Sequence, residues 1–400
     1  MNAAITSSQR RALRALSIAY FVQATGALSV AGSLPAISAA WQLTDAQSAR
    51  LLSIFGLTFA LAAPLVQVIF GHLRRRQLVL TGIGLFGLGA FAFALSPAYG
   101  ALVASRILMG VGAGFIGPVL VALGSELVHE QQRGRAIGMV LLGVSMASLA
   151  GIPLAAWVAG MWGAKALFAL VGLVSLLSGL NVLLTVPDES VGSRIRLTEM
   201  AGVLSEEKYL TAFLVVFFIT SGVYSFYSFI APLIRDTYAG GTHAVSAALA
   251  VLGVAGVVGN LWVTRAATRF TSEKLLLTGM KLLIVDTALI ALLPKALGVL
   301  LAALVFWAFA TDLLWPSQQR RIVELSSARH RGIALALTSA FMFGGIGFGS
   351  AVASWVYPIA GFYGLAGMSV VFIVLALISL QLSEKFRKPL EIAQPCKNEA

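Results

Sequence analysis

Charged residues are scarce in this chain, since Asp, Glu, Lys and Arg together make up only 11% of its 400 residues. A soluble domain carries roughly 25%. Because no soluble core could enclose the 58% of residues that are hydrophobic, the composition excludes an ordinary water-soluble protein. The net charge of +12 would suggest a nucleic-acid partner in a soluble protein. Here the basic residues lie in short loops between apolar segments, so we interpret them as membrane-orientation signals and expect no nucleic acid to bind.

The residues that most enzymes and metalloproteins need are also rare. Cys396 is the only cysteine, which excludes an intrachain disulfide. The four histidines fall in predicted loops, without cysteine or carboxylate at metal-ligand spacing. Neither a phosphate-binding Gly-x-x-x-x-Gly-Lys-Ser/Thr loop nor a Gly-x-Ser-x-Gly nucleophile elbow occurs. The sequence therefore predicts a protein that is not an enzyme, uses no cofactor or metal and does not hydrolyse ATP.

What the chain does contain is a repeat with an offset of 198 residues. Glu126-Leu127 recurs as Glu324-Leu325. The same offset superposes Pro118 on Pro316, Arg133-Gly134 on Arg331-Gly332, Gly151 on Gly349, Trp157 on Trp355 and Gly163 on Gly361. Because each copy also holds apolar runs long enough to cross a bilayer, the repeat indicates a membrane protein of two similarly oriented halves, which is characteristic of secondary transporters.

Taking roughly 20 apolar residues as one crossing, the sequence predicts an all-α membrane protein with twelve transmembrane helices in two pseudo-symmetric six-helix halves. The segments are 16–38, 50–70, 78–96, 100–124, 136–160, 165–186, 211–233, 245–264, 275–293, 297–317, 332–357 and 363–382. The first half is expected to span 1–187 and the second 210–385, joined by a cytoplasmic linker at 188–209 with a short amphipathic helix and followed by a cytoplasmic tail at 386–400.

The distribution of basic residues predicts the orientation. With the N-terminus inside, 22 of the 28 Lys and Arg residues lie on one side and four on the other. This split places both termini in the cytoplasm. Arg75, Ser193 and Glu391 are then cytoplasmic, whereas Asp45 and Thr242 are external.

Arg106 lies inside the fourth apolar segment, followed by glycines at 110, 112, 114 and 117. An intramembrane arginine is costly and is expected to face protein or a water-filled cavity, while glycines permit close helix packing. Two interpretations remain open: a structural charge paired with a neighbour, and an anion- or proton-linked residue of a cavity.

The fifth segment is rich in small residues and carries Gly151 and Pro153, and the eleventh repeats this pattern with Gly349. Such a smooth helix face suits an interface on which the halves rock, with Pro153 adding a kink. A static packing interface would show the same pattern.

Several motifs in order make the chain resemble a major facilitator superfamily transporter, within its drug and sugar efflux group of proton antiporters. The resemblance covers residues 10 to 385. It rests on Leu34-Pro35-Ala36-Ile37, the basic loop Arg74-Arg75-Arg76, Arg106 with its glycines, Arg133-Gly134-Arg135-Ala136 and Gly151-Ile152-Pro153-Leu154. It implies that helices one, four, seven and ten line a central cavity, that helices two, five, eight and eleven form the interface between halves, and that Arg75 and Arg76 take part in gating.

Two departures from the family pattern bear on mechanism. Gly71 stands where the family has an Asp ahead of its basic pair, and Ala27 stands where efflux members often place a glutamate. The commonest proton carrier is therefore missing, and coupling must use another acid or be absent.

The remaining acids within apolar segments are Asp312 in the tenth and Asp286 in the ninth. Because the resemblance puts the tenth helix on the cavity and the ninth at the periphery, Asp312 is the favoured proton-coupling acid. Asp286 is its competitor, with a structural role favoured. Asp312 could instead pair with a basic residue such as Arg320 or Arg321.

The expected substrate site combines aromatic faces with hydroxyl and amide groups. Its candidate residues are Gln23 and Thr25 in the first helix, Arg106 in the fourth, Tyr224 and Tyr227 in the seventh, and Trp307 and Thr311 in the tenth. The sequence thus predicts a monomeric transporter in the bacterial cytoplasmic membrane, exporting a small amphiphilic drug, sugar, nucleoside or metabolite in exchange for protons. The alternatives are an importer or uncoupled facilitator on the same fold, and a membrane sensor that binds a ligand without moving it.

Overall fold

The computed structural model describes residues 5–188, 190–192, 195–327 and 330–386. Ser193 and Glu391, expected in the cytoplasm, lie outside the described residues. Apart from one isolated bridge between Arg74 and Val191, the described part consists of helices and their connections. The α-helices are α1 (Ser7–Trp41), α2 (Asp45–Phe70), α3 (Arg75–Ala94), α4 (Tyr99–Glu126), α5 (Arg133–Met146), α6 (Ile152–Thr185), α7 (Leu197–Ser205), α8 (Glu207–Tyr227), α9 (Ile230–Tyr238), α10 (Thr242–Ala266), α11 (Ser272–Leu292), α12 (Leu297–Leu325) and α13 (Arg331–Lys385).

Ten helical stretches among the described residues are long and apolar enough to cross a membrane. Two of them, Glu130–Thr185 and Arg331–Lys385, contain 56 and 55 residues. A straight helix of that length would extend about 80 Å, whereas a bilayer core is about 30 Å thick. Both are broken by a glycine with positive φ, Gly163 at 85° and Gly361 at 55°.

Contacts of α13 show that the chain folds back at Gly361. Ile333, near its start, clusters with Tyr209 of α8, and Ser383, near its end, lies with its hydroxyl 3.5 Å from the carbonyl oxygen of Lys208. Both ends of α13 therefore meet the start of α8. Counting each broken stretch as two crossings gives twelve, the number that the sequence predicts.

The remaining differences from the predicted segments have local causes. Helix α1 begins at Ser7 because Thr6 caps it in a reciprocal capping box with Gln9. The seventh predicted segment is divided at Ser228–Phe229 into α8 and α9, where Pro232 in the first turn of α9 lacks the N–H that a continuous helix needs.

We call α1–α6 the first half and α8–α13 the second half. We call the end of the bundle at which α1 begins and α2 and α4 terminate the basic end. The other end of the bundle is the opposite end. Each half encloses its own apolar core, and Ile152 and Ala156 of α6 belong to the core of the second half. At the basic end, Met200 and Val203 of α7 pack with Tyr209 and Ile333.

Two seams join the halves. Along α2 and α13 the contact is continuous: Phe59 and Phe343 have ring centroids 3.9 Å apart at mid-depth, and Val68 packs with Ile333 at the basic end. The second seam joins the α5–α6 segment to α10, where a Cβ added to Gly253 would lie 2.5 Å from the carbonyl oxygen of Ser148.

Candidate functional site

Arg106 is fully buried in the first half and bonded to backbone. Its guanidinium donates to the carbonyl oxygens of Leu51 at 3.1 Å, Gly26 at 3.3 Å and Ala27 at 3.0 Å. It also lies 4.5 Å from the centroid of the Phe55 ring. Because its side chain has 0% exposure, Arg106 ties α1, α2 and α4 together in this conformation rather than facing a cavity.

An aromatic cluster of the second half lies where the halves meet. The rings of Tyr224 and Tyr227 are 5.4 Å apart, and Tyr227 stacks on Trp307 at 6.2 Å with an interplanar angle of 12°. Both tyrosines contact the cores of both halves. No hydrogen bond of either phenol hydroxyl is found among the described residues, so both can bond a ligand.

The other predicted binding residues differ in how free their polar groups are. Thr311 donates its hydroxyl to the carbonyl oxygens of Trp307 and Ala308 on its own helix. Thr25 Oγ1 is buried without a partner among the described residues, and so is Trp307 Nε1. Gln23 is buried at 3% exposure. Of these groups, Thr25 and Trp307 have an unmet need for a hydrogen bond.

Asp312 lies in the middle of α12 and faces α10. A Cβ added to Gly256 would lie 2.6 Å from Asp312 Oδ2, and one added to Gly259 would lie 3.2 Å from Asp312 Cβ. Arg320 pairs with Glu324 at 2.6 Å, and Arg321 lies 3.6 Å from Glu273.

Neither arginine that could have neutralised Asp312 does so, and its carboxylate has no ion-pair or hydrogen-bond partner within the described ranges. Asp312 and Trp307 are five residues apart, about 140° around the helix. The carboxylate therefore faces away from the aromatic cluster.

Asp286 is buried at 7% exposure in α11, and its Oδ2 has no partner among the described residues. The hydroxyl of the adjacent Thr287 is also buried without one. The second half thus contains two intramembrane acids that no described basic residue neutralises.

The basic loop after α2 is held within the first half. Arg75 pairs with Glu126 at 2.9 Å, and Arg76 donates to the carbonyl oxygen of Leu183 at 3.0 Å. Glu126 also accepts a hydrogen bond from Ser190. These bonds join the start of α3 to the ends of α4 and α6, and the end of α4 to the linker.

The two repeated glycines pack against the first helix of their own half. A Cβ on Gly151 would overlap Thr25, and one on Gly349 would overlap the backbone of Ser221. Gly151 ends a π-helical turn, Ala147–Gly151, and α6 begins directly after it with Pro153 in its first turn. Pro153 cannot donate a backbone hydrogen bond, which explains the local widening of the helix.

The opposite end holds a group of residues that the sequence did not single out. Arg235 of α9 pairs with Asp45 of α2 at 2.6 Å and with Asp236 at 2.6 Å. Tyr357 donates to Asp236 at 3.2 Å. Arg50 of α2 donates to Ser354 of α13 at 3.3 Å and lies 5.5 Å from the Trp355 ring centroid.

We call the residues Asp45, Arg50, Arg235, Asp236, Ser354 and Tyr357 the opposite-end network. It links the two halves directly. The only sequence signal for it was the presence of charged residues at one end of the bundle, and that signal does not identify partners.

A two-half helical bundle with intramembrane charges is the architecture of a secondary transporter. The family model of the Major Facilitator Superfamily matches residues 16–310, and a second match covers 213–395. The chain therefore belongs to the Major Facilitator Superfamily, and it is a multi-pass membrane protein.

Among curated relatives, the uncharacterized MFS-type transporter YbcL of Bacillus subtilis is 25% identical over 327 residues, which are 82% of this chain and 84% of YbcL. The inner membrane transport protein YdhP of Escherichia coli K12 is 24% identical over 344 residues, 85% of this chain and 86% of YdhP. Both relatives are named as transport proteins.

Solved structures show the same fold at low sequence identity. A bacterial homologue of the human lysosomal transporter Spinster, inward-facing and unoccupied, superposes with a TM-score of 0.72 at 16% identity, covering 96% of this chain and 98% of that one. A POT family transporter in complex with 5-aminolevulinic acid gives a TM-score of 0.75 at 13% identity, covering 94% and 97%.

Proposed function

We propose that this protein exports a small amphiphilic organic compound from a bacterial cell in exchange for protons, by alternating access in the cytoplasmic membrane. The basic end is then cytoplasmic and carries both termini, in agreement with the distribution of Lys and Arg. The protein works as a monomer, since each chain has both halves.

The observation that carries the proton coupling is the unpaired carboxylate of Asp312. An ionised carboxylate without a partner inside a membrane protein is costly, so its charged state depends on hydration or on a nearby ligand. Asp312 also touches α10, a helix of the seam between halves. A change in its proton therefore acts where the halves move against each other.

Ala27 supports the same assignment from the first half. The glutamate that efflux members often carry at this position is absent. The backbone carbonyl oxygen of Ala27 accepts a hydrogen bond from Arg106. An acid of the second half therefore couples protons in place of the missing glutamate. Asp286 is the competing acid.

The substrate site is proposed at the junction formed by Tyr224, Tyr227 and Trp307, with Thr25 and Gln23 supplied by α1. Stacked rings favour an apolar or conjugated body, and the free phenol hydroxyls orient a polar group. This chemistry suits drugs, sugars, nucleosides and other metabolites of moderate polarity. Arg75, Arg76 and the opposite-end network are the proposed gates.

Reconstituted vesicles test the proposal. A compound that the protein carries should show counterflow without a pH gradient and accumulate against its own gradient when a pH gradient is imposed. Counterflow without accumulation would identify an uncoupled facilitator. Binding without counterflow would identify a sensor and contradict transport.

A further inference from the structure

The two seams between the halves differ at the basic end. The seam of α2 with α13 is closed along its length, whereas the seam of the α5–α6 segment with α10 is closed only towards the opposite end. In that closed part, a Cβ on Gly160 would overlap Thr242, and a Cβ on Gly32 would lie 2.7 Å from Leu249 Cδ1. Ile152 and Ala156 continue the core of the second half.

Towards the basic end this contact stops at Ser148 and Leu149, which meet Gly253. Beyond that point α5 packs on α1 and α4 of its own half and makes no extended contact with α10. Gly143 lies against the backbone of Ser17, and Val140 against Gly124. In the described ranges, α5 therefore leans away from the second half.

Large apolar side chains are left exposed on both sides of the resulting gap. Leu142 of α5, two turns before Leu149, is 55% exposed, and Leu261 of α10 is also 55% exposed. Helix α10 is the least buried of the ten candidate membrane spans in the described part of the chain. Apolar surface of this kind is stable against acyl chains, so the edges of the gap lie in the bilayer.

The gap begins at the π-helical turn. Ser148 and Leu149 belong to this turn, and Pro153 lies two residues beyond its end. A π-turn beside a proline is a place where a helix bends. The α5–α6 segment therefore separates from α10 at the π-helical turn, where its helix can bend.

Polar groups lie on the inner faces of the gap. Ser145 is one turn before Leu149, and Asn260 is two turns after Gly253, so both continue the faces that are in contact further along the seam. Both side chains are exposed, as is Leu141 one turn before Ser145. We call Leu141, Ser145 and Asn260 the wedge residues.

We propose that the gap between α5 and α10 is a lateral portal, through which a membrane-partitioned amphiphile passes between the leaflet at the basic end and the junction site. This inference rests on the proposed transport function and narrows its substrate class. A polar head can meet Ser145 and Asn260 while the apolar body stays against Leu142 and Leu261. A freely water-soluble substrate would need no opening towards the lipid.

The portal is tested by asking what reaches the wedge residues. Single cysteines replace Ser145 or Asn260 in a Cys396→Ser background, carry a nitroxide label, and are placed in lipid vesicles. Collision with oxygen, which concentrates in the bilayer, is compared with collision with an aqueous nickel chelate. Leu184→Cys, 75% exposed, is the lipid-facing reference, and Ser53→Cys, 3% exposed on the closed seam, is the packed reference.

We expect oxygen collision at Ser145→Cys and at Asn260→Cys to be several-fold above that at Ser53→Cys and close to that at Leu184→Cys. Phospholipids labelled on the acyl chain should also relax these nitroxides. Nickel collision exceeding oxygen collision would show a water-filled cleft sealed from lipid and would overturn the portal. Values like those of Ser53→Cys would show a closed seam and would overturn it as well. This measurement does not depend on transport. A result that overturns the portal therefore leaves the antiport proposal untouched, and a failure of proton coupling in vesicles does not affect the portal.

Discussion

The two halves treat their buried charges in opposite ways. In the first half, Arg106 donates to three backbone carbonyls and lies against the Phe55 ring, so its charge is fixed in place. In the second half, Asp312 and Asp286 have no basic partner among the described residues. The repeat equivalent of Arg106 is Leu304, and that of Asp312 is Gly114. A shared fold thus carries a structural cation in one half and acids free to change their protonation in the other.

The helix contact around Asp312 is also inverted between halves. In the first half Gly114 of α4 packs against Ala62 of α2. A Cβ added to Gly114 would lie 2.9 Å from the Cβ of Ala62. In the second half the glycines are on α10, and the larger side chain, Asp312, is on α12. The glycines of the interface helix α10 therefore leave space for the Asp312 carboxylate. A change in the protonation of Asp312 can alter the packing of α10.

The largest effect is expected from breaking the fixed charge. Arg106→Leu removes three interhelical hydrogen bonds, each worth about 0.6 and at most about 1.7 kcal/mol in membrane proteins, and a ring contact worth about 0.5–2 kcal/mol. At the average bond strength the first half should lose about 2–4 kcal/mol of stability, seen as a lower midpoint of thermal unfolding in detergent. Arg133→Leu, on an exposed arginine, is the control. An unchanged midpoint for Arg106→Leu would contradict the structural assignment.

Much of this architecture could be predicted from the sequence. Apolar runs and the 198-residue offset located the breaks near Gly163 and Gly361, because a helix must end where a crossing ends. The partners of Arg106 could not be predicted, because backbone carbonyls leave no residue signature. The pair Asp45–Arg235 also escaped prediction, since its members are far apart in sequence and meet only through the docking of the halves.

The repeated glycines offer a second test of the comparison. Gly151→Leu and Gly349→Leu each force a side chain into the first helix of the same half, and overpacking costs about 1–3 kcal/mol. Both variants should insert normally but exchange between states, and so transport, at least several-fold more slowly. Gly84→Leu and Gly367→Leu, where no atom lies within 4 Å of the added Cβ, are matched controls. Normal transport in Gly151→Leu would remove its gating role.

A smaller effect is expected where α10 makes room for Asp312. Gly256→Ala places a methyl group 2.6 Å from Asp312 Oδ2, whereas Gly259→Ala places one 3.2 Å from Asp312 Cβ. The carboxylate can rotate away, so stability should change by less than about 1 kcal/mol. Proton-driven accumulation should nevertheless fall more in Gly256→Ala than in Gly259→Ala. Equal, wild-type accumulation in both would separate Asp312 from coupling.

The smallest effect concerns the opposite-end network. Arg235→Gln removes a partly exposed pair, worth about 0.2–1 kcal/mol, so the population open at that end should rise by at most a few-fold. The labelling rate of Thr242→Cys by an impermeant maleimide measures this opening. Lys295→Gln is the control, because Lys295 bonds only its own half, at Ile290 and Ala291. Equal labelling rates in the two variants would show that the opposite-end network does not stabilise the closed state of that end.

The central claim is that the free acid of the second half couples protons to transport, and one comparison tests it most directly. Asp312→Asn and Asp286→Asn are placed in vesicles with an imposed pH gradient, and both accumulation and counterflow of a carried compound are measured. The account predicts that Asp312→Asn abolishes accumulation while binding and counterflow persist, and that Asp286→Asn still accumulates. Normal accumulation by Asp312→Asn together with its loss in Asp286→Asn would contradict the account and move the coupling site to α11.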